Sequence, residues 1–167
     1  MTSEINNQIN FEIYSGYIYL AMSSYCNVLG LKGAAHWFFV QMQEEMLHAL
    51  RMYKYVVDQG EHAEMLAVKQ PELKYKSLLH MFETALKHEK IVTSRIYNLV
   101  NIAREEKDHA TDNFMQWFVK EQVEEEATAG EIVANLKLAG DNVGGIFMID
   151  KDLAARMFVP PVDIVIG

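Results

Sequence analysis

The stretch LLHMFETALKHEKIVTSRIYNLVNIA, residues 78–103, decides the fold. Leu78, Phe82, Ala85, Val92, Ile96, Leu99 and Ala103 recur at spacings of three and four, the period of one buried face of an α-helix. The member missing from that series is Glu89, a carboxylate in the middle of an apolar seam. Two other stretches repeat the form. Phe38, Met42, Ala49, Met52 and Val56 make a stripe interrupted by Glu45 and His48, and Met115, Phe118, Ala129, Ile132 and Leu136 make one interrupted by Gln122 and Glu125. Nearer the start, either Ile9 with Tyr19 or Ile13 with Tyr17 and Leu20 can face inward; Glu12 lies on the former stripe.

Outward from these seams, punctuation sets the elements. Prolines occur only at 71, 160 and 161, and Gly30, Gly33 and Gly60 mark turns. Helices are expected over about 3–30, 33–60, 75–104, 111–138 and 145–158, with the charged run Arg104–His109 as a break. The long ones span about 40 Å each, so four of them make an all-α four-helix bundle. Residues 61–74 form a crossover between the second and third helices, long enough to run from one end to the other. One domain over 1–167 is expected, without repeats or alternating strands.

Composition narrows the function. A chain of 167 residues, half of them hydrophobic, buries a core without staples. Fifteen basic against 23 acidic residues leave a net charge of −8, which argues against nucleic acid as a partner and in favour of cations. No basic patch followed by an apolar run opens the chain, and no window approaches a membrane span, so a cytoplasmic protein with no membrane partner is expected. The single cysteine, Cys26, fits a reducing compartment and reads as a buried, inert thiol.

Every expected bundle helix thus carries a mid-length acid on its inward stripe: Glu12, Glu45, Glu89 and Glu125. Burying carboxylates without compensation costs several kcal/mol per ion or forces protonation, and a bound cation relieves that cost. One imidazole among several carboxylates suits iron or manganese better than structural zinc. Glu45 and His48 are three apart, so both can grip one ion. That spacing alone carries little weight, since chance supplies about one such pair in every two chains of this composition, and a second copy, Glu106 with His109, lies in the polar break.

With Asn10-Phe-Glu-Ile-Tyr14, Gln43-Glu-Glu-Met-Leu-His48, Lys87-His-Glu-Lys90 and Lys120-Glu-Gln-Val-Glu-Glu-Glu126 in this order, the whole chain resembles the bacterial non-haem ferritins. Ferritin-like carboxylate bundles carry a second Glu-x-x-His on the fourth helix in the general scheme. Gln122 through Glu125 replaces it here, as in non-haem ferritins and unlike bacterioferritins or di-iron oxygenases. Met46 stands where bacterioferritins ligate haem, but non-haem ferritins also have Met there, and haem is not expected.

The resemblance implies two irons at a ferroxidase centre: a first site from Glu12, Glu45 and His48, and a second from Glu45, Glu89 and Glu125 with Gln122 beside it. A third, weaker site maps onto Glu44, Glu121, Glu124 and Glu125, and Tyr19 matches a tyrosine next to the centre. It further implies oxidation of Fe(II) by dioxygen or peroxide, storage of the ferric mineral in a shell of 24 identical subunits, and a fifth helix at fourfold contacts. Asp112 aligns with an acid of the threefold channels, whose second acid is replaced by Met115.

Two other classes fit parts of the pattern. A non-storage di-iron redox enzyme, of peroxidase or oxygenase type, needs no shell, and a metal-free helical interaction protein would merely tolerate the acids. Trp37 and Trp117 read as packing residues, and His36, His62, His80, His88 and His109 as surface or packing histidines. The apolar tail, residues 160–167, has no assigned role.

Overall fold

The computed structural model describes residues 1–159; the apolar tail lies outside them. Among the described residues all regular structure is helical: α1 (Thr2–Leu29), α2 (Lys32–Asp58), α3 (Leu78–Glu105), α4 (His109–Ala139) and α5 (Val143–Leu153). None of the described helices is long and apolar enough to cross a membrane. The chain divides into two compact units: one holds α1, α2, the crossover and α5, the other α3 and α4.

Caps explain where the bounds depart from the sequence reading. α3 starts at Leu78 rather than 75 because Ser77 is extended and its hydroxyl accepts from the His80 N–H. α4 starts at His109 rather than 111, since Asp108 caps it through the Thr111 N–H at 3.0 Å. α5 starts two residues before the expected 145, behind an Asn142 cap, and stops at Leu153, five short of the expected 158. There the chain leaves the helix to reach α2, where the Arg156 guanidinium pairs with Glu44 and lies 4.3 Å over the Trp37 ring, and the Arg156 carbonyl meets His36 Nε2 at 2.8 Å.

In the first unit, Gly30 turns the chain with φ +79° and α1 folds back on α2. Ile9 and Tyr19 are buried while Tyr17 and Leu20 stay exposed, so the stripe containing Glu12 is the inner one. Tyr19 stacks on Phe38 with ring centroids 6.2 Å apart, and the Ser23 hydroxyl donates to the Ala35 carbonyl. On α2 the expected stripe is buried except Met42, which is half-buried; Gln41 is buried instead. α5 packs on the start of α2, where Asp150 accepts from the Gly33 and Ala34 N–H groups at 3.1 and 2.8 Å.

The crossover lies along α1. Asn6 Nδ2 donates to the His62 carbonyl, Asn10 bonds both the Glu64 carbonyl and the Leu66 N–H, Lys69 Nζ sits 4.6 Å over the Tyr14 ring, and the Tyr25 hydroxyl donates to the Tyr75 carbonyl. Asn6, Asn10 and Tyr25 thereby satisfy backbone groups that a segment without secondary structure would otherwise leave to water. The crossover therefore carries the chain from the end of α2 back to the end where α2 began.

In the second unit, α3 and α4 form a hairpin around a tight turn with Lys107 at φ +57°. All the apolar stripe residues named for these two helices are buried. Lys137 pairs with Glu83 at 2.9 Å across the hairpin, and Trp117 packs edge-on against Phe118.

Candidate metal centre

Helical spacing assembles a buried triad inside the first unit. Glu12 on α1 and Glu45 on α2 are 0% exposed and His48 is 2% exposed. A carboxylate oxygen from each acid and a ring nitrogen of His48 all lie within 4.8 Å of one another. Glu45 and His48 meet because they are three apart on one helix, with Nδ1 to Oε2 at 3.7 Å.

Each carboxylate is held from one helical turn before it. Gln8 Nε2 donates to Glu12 Oε1 at 2.8 Å, and Gln41 Nε2 donates to Glu45 Oε1 at 3.0 Å. The second oxygen of Glu12 is buried with no hydrogen-bond partner among the described residues. An ionised oxygen in that position has lost its water at a cost of several kcal/mol. A divalent cation accepting oxygen and imidazole ligands would repay that cost.

The second unit places Glu89 buried on α3, within the seam between Ala85 and Val92. On α4, Gln122 and Glu125 are buried and Gln122 Nε2 donates to Glu125 Oε2 at 3.2 Å. The Thr93 hydroxyl lies 2.6 Å from Glu126 Oε1 and 3.0 Å from Gln122 Oε1. It has one proton to give, and the charged acceptor makes the stronger bond.

The residues expected at a third site are dispersed in environment. Glu44 is half-buried and holds Arg156, Glu121 is half-buried, and Glu124 is exposed. Any cation at Glu44 would have to displace a guanidinium. Tyr19 is fully buried on the triad's face of α1, two turns beyond Glu12. Met46 lies over Gly16, its Sδ 3.3 Å from where a Cβ there would stand. Asp112 accepts from Arg104 Nε at 3.2 Å and from Gln116 Nε2 at 2.9 Å. Burial, followed by the charge of Asp150, pushes the Cys26 thiol up to about 12.

Sequence reasoning missed Gln8, Gln41, Thr93 and Arg156. The two glutamines did leave a signal, a Gln-x-x-x-Glu spacing on each of two neighbouring helices. Arg156 left none, because its partner is 112 residues away.

Comparison with known proteins agrees over nearly the whole chain. Residues 2–139 match the profile of the family described as a ferritin-like domain. A bacterial non-heme ferritin of Staphylococcus haemolyticus is 40% identical over 154 residues, covering 92% of this chain and 93% of its own length, and one of Staphylococcus aureus matches equally. Among solved structures, an open-pore ferritin from the hyperthermophilic archaeon Archaeoglobus fulgidus is 46% identical with a TM-score of 0.93, covering 93% of this chain and 96% of that one. An engineered closed form of that ferritin matches at the same identity and TM-score, covering 95% and 96%. The fold class is shared with these structures: an all-α four-helix bundle with a short C-terminal helix.

Proposed function

The chain belongs to the ferritin family, and from that membership we propose that it is an iron-storage ferritin with ferroxidase activity. The observation that carries this reading is the buried Glu12, Glu45 and His48 triad, whose carboxylates are already held in place by Gln8 and Gln41. In this reading the triad takes one Fe(II) as substrate. A second Fe(II) uses Glu45, Glu89 and Glu125, with Glu45 bridging and Gln122 beside it. Glu44, Glu121, Glu124 and Glu125 serve a third, weaker site nearby, where the cation displaces Arg156 from Glu44.

Two adjacent ferrous ions let one oxidant take two electrons in a single encounter. With dioxygen, two Fe(II) and two protons give two Fe(III) and hydrogen peroxide; with peroxide, the products are two Fe(III) and two waters. Hard carboxylate oxygens favour the ferric product, and the single imidazole keeps the ligand set mixed. Buried Tyr19 supplies a hydrogen bond or an electron beside the centre. The ferric product then mineralises in a hollow homo-oligomer of 24 subunits in the cytoplasm, and the net charge of −8 draws iron inward, more strongly at low salt. Neither nucleic acid nor membrane nor haem takes part.

The test is to add ferrous ions to the apoprotein in air, follow ferric formation optically and size the product. Rapid oxidation of about two irons per chain, followed by a soluble iron-loaded shell, is the result expected from two metals acting as a pair. Oxidation no faster than in buffer would overturn the ferroxidase reading, and a small oligomer would overturn storage.

A further inference from the structure

We propose that Gln8 and Gln41 are positioning residues that aim Glu12 and Glu45 at the bound cation; the inference rests on reading this triad as an iron site. Both glutamines are buried, 1% and 2% exposed, in an interior where an amide is placed at a cost unless it is bonded. Each sits four residues before its acid, one turn N-terminal on the same helix face, and each donates to the Oε1 atom of that acid. An ionised carboxylate only accepts, so the bonded group must be the amide N–H whichever way the amide is drawn.

Two independent helices thus solve one problem in one way. Holding Oε1 fixes the plane of the carboxylate and leaves the other oxygen directed elsewhere. For Glu12 that oxygen is the buried atom with no hydrogen-bond partner among the described residues, and for Glu45 it faces His48 Nδ1 at 3.7 Å. A lysine or arginine would hold the carboxylate as firmly but would cancel the negative charge that attracts the cation. A neutral amide orients the ligand and keeps its charge. Groups that orient metal ligands in this way typically carry 10- to 100-fold of metal affinity.

Gln8→Met and Gln41→Met keep the unbranched shape and remove the donor. Each variant, checked for wild-type helicity, is titrated as the full-length apoprotein without oxygen, using Fe(II) and separately Co(II), whose visible absorption reports ligand geometry. The expected result is binding weaker by about 10- to 100-fold with an altered Co(II) spectrum, while oxidation at saturating Fe(II) falls less. Two positions on different helices keep the proposal testable if one variant does not fold. Unchanged affinity and spectrum in the variants, with wild-type protein that binds, would overturn this inference alone. Wild-type protein that binds neither metal would overturn both this inference and the iron-site reading beneath it.

Discussion

Gly33 and Asp150 are in contact so close that a Cβ built on Gly33 would stand 1.5 Å from the Asp150 carbonyl oxygen, while the Asp150 carboxylate caps α2. Backbone cannot retreat as a flexible side chain can, so Gly33→Ala must push α5 off the start of α2. The expected cost is about 1–3 kcal/mol, the usual range for overpacking. Trypsin should then cut after Lys151 or Arg156 far faster than in the wild type. Unchanged cleavage and stability would show that α5 moves freely.

Removing the Glu12 charge should separate stability from function. In Glu12→Gln the buried oxygen without a hydrogen-bond partner becomes part of a neutral amide, and the apoprotein is expected to gain about 1–3 kcal/mol. Iron oxidation should fall by tenfold or more. Urea melts of the metal-free proteins beside oxidation rates check both; a less stable apoprotein would mean that the charge is already compensated.

Stability should decline in alkali for an identifiable reason. Cys26 is raised from 9.0 to about 12, chiefly by burial, and Tyr75 from 10.0 to about 12, again by burial first and then by the nearby Glu72 charge. The folded chain keeps these protons where the unfolded chain loses them, so stability is whole below about pH 9 and is lost as pH rises toward about 12. Urea midpoints should fall less steeply over that range in Cys26→Ala and in Tyr75→Phe than in the wild type. Parallel slopes in all three proteins would sink the assignment.

In acid the Asp108 cap matters. Its hydrogen bonds to Thr111 hold its carboxyl below the ordinary 3.8. The contribution is therefore present above that value and disappears as pH falls through the lowered one. Asp108→Ala should cost about 1 kcal/mol at neutral pH, and the gap to wild type should close in strong acid. A gap that persists in acid would show that the loss is packing.

The seams of α3 and α4, and the acids within them, were legible because a 3.6-residue period needs no knowledge of partners. The choice between two stripes on α1 was not, since Tyr17 and Leu20 are apolar enough for either face; the fold leaves them 47% and 42% exposed. The triad was legible through Glu45 and His48, which are local, and through Glu12, which required only the right stripe. Arg156 on Glu44 and Asp150 on Gly33 were invisible because they join positions more than a hundred residues apart, which no local spacing reveals. The end of α5 was not legible either: beyond Leu153 the chain runs to α2, which Arg156 meets at positions remote in sequence.

The anchored crossover has a consequence for how the chain can change in length. Between Asn10 and Tyr25, α1 rises about 22 Å. The segment from Leu66 to Tyr75 that follows it reaches at most about 30 Å. The slack amounts to about two residues, so a larger deletion there would tear out an anchor, whereas an insertion could loop outward. Lengthening α1 by one turn, about 5.4 Å, would use up most of that slack, and a second turn would have to be matched by an addition to a stretch more than forty residues downstream, which ties the two segments' histories together.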